Sequence, residues 1–311
     1  MDESEPIYHG KRKFLGLKDL VISFYTQKCP YQCPFCDLKN KSSATPVSLE
    51  SQKSQVDWVL NKYSPEIGSF QQLSAGNEGS ILDRARFFQP AMNYLIDATT
   101  QMTGLKVLSL ETRPEFISYD YLSQIKEKIG STIIDVTVGF ETQDDKIRND
   151  ILGKNIQRSK FEEKVQILGA LGAKLTSYVM LKPAPGMSEE QGITEAIKTI
   201  EYLKDLTATQ AIDLVVYLNP TYVAENAPIS RKMHALQYQP PSIQSALQVV
   251  FASHAMNVPI YVGLWSENLA GKAGDFNCRA DYNPLIKKAL KEFNQTQDMH
   301  MLLENTSKCR K

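Results

Sequence analysis

The sequence predicts an α/β fold in which parallel β-strands alternate with α-helices. Apolar runs of strand-forming residues alternate with segments of helical periodicity through most of the 311 residues. Most of these runs are nearly continuous in apolar character, which is typical of parallel strands covered on both faces. The chain is 42% apolar, enough for a large core. Six strand–helix units in succession fit either a parallel barrel or an open, doubly wound sheet.

Each strand is predicted from one of these apolar runs, and each helix from apolar residues at helical spacing. The predicted strands cover residues 20–25, 69–74, 105–111, 134–141, 174–181 and 213–218, with a further strand at 259–264. The helical repeats are Phe161/Val165/Leu168, Ile193/Ile197/Ile200 and Ile243/Leu247/Val250. Ser188, followed by two glutamates, predicts a helix start, and a final helix is expected from Pro284. Residues 219–239 are less regular and are expected to form a loop or cap.

The composition predicts a protein of a reducing compartment with no global affinity for nucleic acid. The 35 basic and 35 acidic residues leave a formal net charge of zero, so a phosphate-rich partner must meet a local basic patch or a second protein. Three of the five cysteines are clustered, which does not fit a disulfide framework and indicates the cytoplasm. The acidic N-terminus lacks the apolar region of a signal peptide, and no apolar run is long enough to span a membrane.

The most informative motif is Cys29, Cys33 and Cys36, spaced C-x3-C-x2-C in a short loop after the strand at 20–25. Three thiolates this close together can hold three irons of a [4Fe-4S] cube and leave the fourth iron open for a ligand. A zinc site usually takes four ligands, and a ferredoxin-type cluster needs a fourth cysteine. Cys278 and Cys309 are distant, and no histidine lies near the loop. Zinc and simple electron transfer are therefore the less favoured alternatives.

This cysteine spacing after a first strand, with the aromatic Phe35 before the last cysteine, resembles the signature of the radical S-adenosylmethionine (SAM) superfamily. The resemblance implies a partial (β/α)6 barrel, similar to a TIM barrel, with functional residues at the carboxyl ends of the strands. It implies a core barrel over residues 1–265 and a short C-terminal extension, 266–311, that closes it with a helix.

The same resemblance implies two cofactors, a [4Fe-4S] cluster and SAM. In this superfamily the amino and carboxylate groups of SAM chelate the open iron. One electron from the reduced cluster splits a carbon–sulfur bond of SAM, and the resulting 5'-deoxyadenosyl radical abstracts hydrogen from a substrate.

Several strand ends carry residues that resemble SAM-binding segments of the superfamily. Gly76, Asn77 and Glu78 resemble the Gly-Gly-Glu segment that contacts the SAM amino group, although Asn77 stands where a second glycine is common. A plain glycine turn is the alternative. Glu111 and Arg113 close the next strand. Arg113 is expected to pair with the SAM carboxylate and Glu111 to contact the ribose or orient the arginine; a structural ion pair is the alternative.

Three further residues complete the expected cofactor contacts. Glu141 ends a run of Val and Ile in a Gly-Phe-Glu-Thr segment and resembles the acid that lies near the SAM ribose or methionine. The backbone that begins at Tyr178 is expected to bracket adenine. Phe35, inside the cysteine loop, is expected to lie against the bound cofactor.

Candidates for contact with the substrate lie near the later strand ends. Lys182 is expected to face the substrate, with a solvated strand end as the alternative. Tyr217 precedes an Asn-Pro pair that is also ordinary turn chemistry. Cys278 is expected to donate hydrogen to a substrate radical, and a buried or idle cysteine is the alternative.

Within the superfamily, the chain resembles the branch that contains the Elongator catalytic subunit and the methylthiotransferases. Segments 76–83, 111–117, 139–142 and 181–183 resemble the radical SAM subunit of archaeosine synthase. That resemblance implies a lyase or oxidoreductase that cleaves a carbon–nitrogen bond in a lysine-modified deazaguanine of tRNA. The expected partners are a reductant such as flavodoxin or ferredoxin, and tRNA, bound directly or through a partner subunit.

Two other classes of function remain open from the sequence. One is a radical SAM enzyme of small-molecule biosynthesis, which would rearrange, eliminate, epimerise or dehydrogenate its substrate. The other is a cluster-bearing redox or binding protein that never cleaves SAM.

Overall fold

One curved, eight-stranded sheet forms the centre of the protein, and its strands are adjacent in chain order from first to last. The computed structural model describes residues 2–264 and 274–307. The strands are Tyr8–Phe14 (β1), Leu17–Phe24 (β2), Gln72–Asn77 (β3), Val107–Thr112 (β4), Ile133–Glu141 (β5), Lys174–Leu181 (β6), Leu214–Pro220 (β7) and Ile260–Val262 (β8). β1 runs antiparallel to β2, and every later pair of neighbours is parallel.

Helices follow the strands and cover the outer face of the sheet. The α-helices of the described residues are Leu49–Tyr63 (α1), Gln89–Ala98 (α2), Tyr119–Ile129 (α3), Arg158–Ala170 (α4), Glu189–Ala208 (α5), Ser230–Ala235 (α6), Ile243–Ala255 (α7), Pro284–Thr296 (α8) and Met299–Ser307 (α9). A π-helical turn, Lys146–Ile151, follows β5.

The strand order separates the two fold classes that the sequence leaves open. A doubly wound sheet reverses its strand order at a switch point, whereas this sheet is sequential. The sheet also curls, so that Phe14 of β1 stacks on Tyr261 of β8 with ring centroids 4.8 Å apart. α8 bridges the two edges through Asn294. The Asn294 side chain exchanges two 2.8 Å hydrogen bonds with the main chain of Val262, and the main-chain carbonyl of Asn294 accepts one from the Leu15 N–H. The predicted partial barrel is therefore confirmed.

The strands have one apolar and one polar face. In β4, for example, Leu108 and Leu110 are buried against the helices, while Ser109 and Glu111 face the inside of the curl. Successive side chains of a strand point to opposite faces of its sheet. The polar inner positions interrupt the apolar runs that predict the strands, and they give the barrel a polar interior.

The predicted helices are confirmed at their apolar repeats and at two of their ends. All three residues of the repeat in α4, and of the repeat in α7, are buried. In α5 only Ile200 is buried, while Ile193 and Ile197 are half-buried. Ser188 caps α5 as predicted: its side chain accepts from the Gln191 N–H, and the Gln191 side chain accepts from the Ser188 N–H. Pro284 begins α8, also as predicted.

Two strands differ from the prediction for physical reasons. β1 has no counterpart among the predicted strands, because its sequence is mostly polar, as suits a half-exposed edge strand. The hairpin turn behind it, Leu15 and Gly16, has positive φ at both residues, 48° and 85°, and that glycine is the signal that could have identified it. The second predicted strand, 69–74, lies instead at Gln72–Asn77, because Ile67–Ser69 form a 3-10 turn.

The irregular stretch at 219–239 contains α6 and covers the cysteine loop, as a cap. The Ile229 N–H donates a 2.9 Å hydrogen bond to the carbonyl of Pro34 inside that loop. The cap has a small apolar cluster of its own, separate from the main core. Phe35 packs against this cluster, which consists of Val223, Ile229, Met233 and Tyr238. This stretch therefore contributes to the position of the cysteine loop, and a cap over the mouth of the barrel stays a prediction.

The expected domain boundary at 265/266 lies outside the described residues, so the division into core and extension stays a prediction. Of the described part of the extension, α8 packs against α7 and α9 and touches β1 and β8. A search of the described residues for a helix long and apolar enough to cross a membrane finds none.

The stacked pair Phe140 and Phe161 predicts a large loss of stability on truncation. Their rings are fully buried between β5 and α4, with centroids 4.3 Å apart. We expect Phe161→Ala to lower the free energy of unfolding by about 3–5 kcal/mol, because packing is lost and a cavity remains. Leu285→Ala, at an exposed position of α8, should stay within about 0.5 kcal/mol of the wild type. Equal losses in chemical denaturation would contradict this account of the core.

Candidate functional site

The inside of the curled sheet is a polar cavity of about 850 Å³. In TIM barrels the corresponding space is filled by large branched side chains. Here the inner strand positions carry hydroxyl, carboxyl, amide and phenol groups, among them Gln72, Ser74, Ser109, Glu111, Thr137, Thr176, Tyr178 and Tyr217. The volume lies within the range of small-molecule binding sites.

Six of the predicted site residues line this cavity: Gly76, Asn77, Glu78, Glu111, Tyr178 and Tyr217. They come from the ends of β3, β4, β6 and β7, which parallel pairing brings to one edge of the barrel. The Tyr178 hydroxyl donates a 2.8 Å hydrogen bond to Glu111 Oε2. Burial, reinforced by the Glu111 carboxylate, raises the pKa of Tyr178 well above its ordinary value, so the phenol remains a proton donor at neutral pH.

The cysteine loop joins β2 to α1, and two glycines let it lie directly on the strand ends. A Cβ atom on Gly79, just after β3, would be 3.2 Å from the Cβ of Cys29. A Cβ atom on Gly153 would be 2.6 Å from Pro34 Cδ, and the Gly153 carbonyl lies 3.8 Å from the Sγ of Cys33. All three cysteines of the loop are free thiols and half-buried. The loop is therefore held at the edge of the cavity.

The charges beside the loop fit a cluster held by thiolates. Burial raises the pKa of Cys29 and raises that of Cys36 to about 11, while the nearby cations Arg113 and Lys154 oppose these shifts. The same cations would favour the thiolate form that binds iron. Within 2–264 and 274–307, no three His, Cys, Asp or Glu side chains converge on a single metal ion. An iron–sulfur cube makes a different demand, because each thiolate binds a different iron.

Arg113 joins β4 to the cysteine loop. Its guanidinium lies 3.7 Å from the centroid of the Tyr31 ring. Its Nη2 donates to the carbonyl of Lys154 and to Glu115 Oε1, both at 2.6 Å. The side chain is buried, and its Nε has no hydrogen-bond partner among the described residues. An unsatisfied buried donor is costly, so this position favours a ligand that brings a hydrogen-bond acceptor to Nε.

Glu141 and Lys154 form a buried ion pair at 3.0 Å, next to the cysteine loop. Glu141 has a φ of 71°, which turns the chain at the end of β5. Gly139 makes room for the pair, because a Cβ atom there would lie 2.7 Å from both Glu141 Oε1 and Lys154 Nζ. The Lys154 ammonium also lies 5.6 Å from the centroid of the Phe35 ring. Glu141 and Phe35 are thus brought together beside the loop rather than on the cavity wall.

Lys182 and Cys278 lie away from the cavity. Lys182 follows β6 with a φ of 62°, and its ammonium donates to the Gln239 carbonyl at 2.7 Å and lies 3.5 Å from Glu189 Oε1. The turn thus directs this side chain into the cap. Cys278 is exposed, and its Sγ is 3.7 Å from Asp275 Oδ1. The catalytic roles expected of these two residues stay predictions.

Sequence reasoning missed the charged groups deep inside the barrel. Arg12 of β1 and Asp19 of β2 form an ion pair at 2.7 Å, with the carboxylate fully buried. Asp135 of β5 is also buried and accepts hydrogen bonds from Ser109 and Thr176. The signal that could have identified them is the polar residue at every second position of otherwise apolar runs.

Three curated proteins resemble this chain over most of its length. An uncharacterized protein of Methanocaldococcus jannaschii is 24% identical over 300 residues, which cover 94% of this chain and 80% of that protein. The archaeosine synthase subunit beta of Thermococcus kodakarensis is 23% identical over 297 residues, which cover 93% and 87%. No protein-family model matches the chain. The predicted resemblance to the archaeosine synthase subunit is confirmed.

Solved structures share the fold at low sequence identity. A queuine lyase from Clostridium spiroforme, bound to SAM and queuine, matches with a TM-score of 0.50 and 22% identity over 69% of this chain and 79% of that chain. A spore photoproduct lyase variant with bound AdoMet and dinucleoside spore photoproduct also matches with a TM-score of 0.50, at 12% identity, over 84% and 80%. These likenesses confirm the predicted partial barrel fold.

The close approach over Gly139 predicts that a single methyl group will separate the buried ion pair. We expect Gly139→Ala to lower the free energy of unfolding by about 1.5–3 kcal/mol, because the ends of both side chains must shift and the hydrogen bond between two buried charged groups is weakened or lost. Gly172→Ala is the control. That glycine has a φ of 60°, and a Cβ atom added there would meet no heavy atom within 4 Å, so only the backbone cost of about 1–2 kcal/mol applies. An equal or smaller loss for Gly139→Ala in chemical denaturation would show that the pair simply moves aside.

Proposed function

We propose that this chain is a radical SAM enzyme whose [4Fe-4S] cluster is held by Cys29, Cys33 and Cys36. The observation that carries the proposal is the position of these half-buried thiols, beside two cations and at the edge of the cavity on which the strand ends converge. A cluster bound to these three thiols, together with SAM, would supply the radical chemistry for abstraction of hydrogen from a substrate.

Residues at the strand ends suit the charged groups of SAM. Glu78 lines the cavity next to Gly79, where an added Cβ atom would lie 3.2 Å from the Cβ of Cys29. The Glu78 carboxylate would take the SAM ammonium together with Asn77. Arg113 would take the SAM carboxylate, because its Nε is the buried donor without a partner among the described residues. Glu111, oriented by the Tyr178 hydroxyl, would accept hydrogen bonds from the ribose.

Glu141 and Phe35 would act on the cluster side of SAM. Both contact Lys154, and Lys154 exerts its charge on Cys36. We therefore propose that Glu141 holds the Lys154 ammonium in place, in addition to its predicted position near SAM. Tyr217, whose ring meets Tyr178 edge to face at 5.1 Å, would border the substrate.

For the substrate we propose a lysine-modified deazaguanine of tRNA, from which the enzyme cleaves a carbon–nitrogen bond as a lyase. The support is the resemblance to archaeosine synthase subunit beta over most of both chains, together with the fold shared with a lyase that binds queuine. The word subunit in that relative's name suggests a protein partner for the reaction on tRNA. A flavodoxin or ferredoxin would supply the electron, and a tRNA substrate would place the enzyme in the cytoplasm.

Basic residues at the rim of the cavity support a polyanionic substrate despite the net charge of zero. Lys13 of β1 and Lys287 and Lys291 of α8 are far apart in sequence, yet all three line the same cavity. Among the described residues none of them forms an ion pair with a carboxylate. Because phosphate contacts are made by such cations, this rim is where tRNA would approach.

Anaerobic reconstitution with iron and sulfide tests the proposed function. The wild type, given SAM and dithionite, should produce 5'-deoxyadenosine, and more of it with tRNA that carries the lysine adduct. Cys33→Ala should lose the cluster and this product, because three thiolates are needed to hold the cube. Cys278→Ala is the matched control for iron content and should keep the full cluster, since this thiol is exposed and outside the loop.

The outcomes of this assay separate the parts of the proposal. An intact cluster that yields no 5'-deoxyadenosine would contradict the radical SAM assignment. Cleavage of SAM that is indifferent to tRNA would keep that assignment and contradict the tRNA substrate, in favour of a small molecule.

The basic rim predicts a salt-dependent affinity for tRNA. We expect the double variant Lys287→Ala/Lys291→Ala to weaken tRNA binding and to reduce the slope of log affinity against log salt by about 1.4–1.8. The reason is that each phosphate contact releases counterions when tRNA binds, and the variant makes two fewer contacts. Filter binding at several salt concentrations measures this. Lys198→Ala/Lys204→Ala, two exposed lysines on α5, is the charge-matched control. The same loss in both double variants would mean that the rim has no special role.

A further inference from the structure

The inner half of the cavity has a floor of three hydroxyl groups above a buried carboxyl group. Ser109, Thr137 and Thr176 line the cavity, and Asp135 is buried at their side. Ser109 Oγ donates to Asp135 Oδ2 at 2.6 Å, and Thr176 Oγ1 donates to Oδ1 at 2.9 Å. Thr137 Oγ1 lies 3.0 Å from Ser109 Oγ and 3.4 Å from Asp135 Oδ2. We call the three hydroxyl groups the hydroxyl floor.

The oxygen atoms of the hydroxyl floor present hydrogen-bond acceptors to the cavity. A hydroxyl group has one proton and two lone pairs, and here the protons point towards the Asp135 carboxylate, which leaves oxygen lone pairs for a ligand. Asp135 also lacks a close cation among the described residues. Burial raises the pKa of Asp135, and the charge of Lys174 opposes this shift only from a distance, because the Lys174 ammonium is paired with Asp213 at 3.3 Å. A buried carboxylate without a counterion is costly, and a ligand ammonium would supply one.

The neighbouring part of the cavity wall has the opposite polarity. The guanidinium of Arg12 lines the cavity and lies 4.7 Å from the Phe14 ring centroid and 5.5 Å from that of Tyr261. Its Nε donates to Asp19 at 2.7 Å, and its Nη2 lies 3.5 Å from Ser74 Oγ. A guanidinium carries five N–H donors in a rigid fork, so donors remain for the oxygens of a ligand carboxylate.

The two regions adjoin across one pair of strands. Ser74 of β3 donates to Asp19 at 2.9 Å and is the register partner of Ser109 of β4. Neighbouring strands are about 4.8 Å apart. A ligand with an ammonium and a carboxylate on the same carbon atom has its charges close enough together to meet both regions at once.

We propose that the inner half of the cavity binds the α-amino-acid group of the substrate, with its ammonium on the hydroxyl floor and its carboxylate on Arg12. This inference deepens the proposed function, on which it rests for the identity of the cavity as the substrate site. A substrate with an amino-acid side arm would place that arm between β1 and β6, while its reacting carbon stays nearer the cysteine loop.

Three small probes separate the two charges: L-norleucine has both groups, hexanoate has only the carboxylate, and pentylamine has only the ammonium. Each is titrated by calorimetry into the reconstituted protein under anaerobic, non-reducing conditions, with and without saturating SAM. SAM occupies the other position where an amino acid could bind. We expect L-norleucine to bind at least about tenfold more tightly than either single-charge probe, since each charged hydrogen-bonding group adds affinity.

Variants on the two sides should weaken different probes. Thr176→Val removes one acceptor without changing the size of the side chain, and it should weaken L-norleucine and pentylamine by about three- to tenfold but not hexanoate. Arg12→Gln/Asp19→Asn removes both charges of the buried pair together, so that neither is left alone. It should weaken L-norleucine and hexanoate but not pentylamine. Asp205→Asn, an exposed acid on α5, is the control and should change none of the three.

The crossed pattern is the result that supports the inference, because a general loss of structure would weaken all probes alike. The inference is overturned if each variant affects hexanoate and pentylamine equally, or if L-norleucine binds no better than the single-charge probes. SAM binding by the wild type is a separate readout, and its absence would contradict the proposed function. The titrations without SAM would still decide the inference about the amino-acid group.

Discussion

A junction of three buried charged side chains holds the cysteine loop on the barrel. Arg113 stacks on Tyr31 of the loop and binds the carbonyl of Lys154, and Lys154 in turn pairs with Glu141. Gly139 leaves the space in which that pair lies. Losing one buried partner leaves the other charge uncompensated, so the junction resists rearrangement. The three thiols that would bind a cluster are therefore positioned by the ends of β4 and β5 as much as by their own loop.

The curl of the sheet gives its two faces different tasks. The outer face is buried under helices and provides the main core, in which residues such as Phe161 pack. The inner face encloses a polar cavity because its two edges are brought together by the stacking of Phe14 on Tyr261 and by Asn294 of α8. Closing the edges also carries the lysines of α8 to the rim. A substrate with a polyanionic body and a charged side arm would meet both features along one path.

The charged groups of the barrel interior lie in two zones. The carboxylates of Glu78 and Glu111 lie at the edge near the cysteine loop, while Arg12 and the buried Asp135 lie deeper. In a partly enclosed cavity, such fixed charges act more strongly than they would at the surface. The edge is thus suited to the cofactor and the interior to the substrate, and the proposed function and the proposed amino-acid site depend on different residues.

The sequence by itself determined the fold class, the helix starts at Ser188 and Pro284, and the cysteine spacing, because these depend on local patterns along the chain. It also indicated the strand ends that line the cavity, since parallel strands end at one edge. Only the tertiary structure decided that β1 closes the sheet, that Lys182 and Cys278 lie away from the cavity, that Arg12 lines it, and that Asp135 is buried beneath its floor. The reason is physical: the side of a strand on which a polar residue faces, and the partner that it meets there, depend on the curl of the whole sheet and on contacts between residues far apart in the chain.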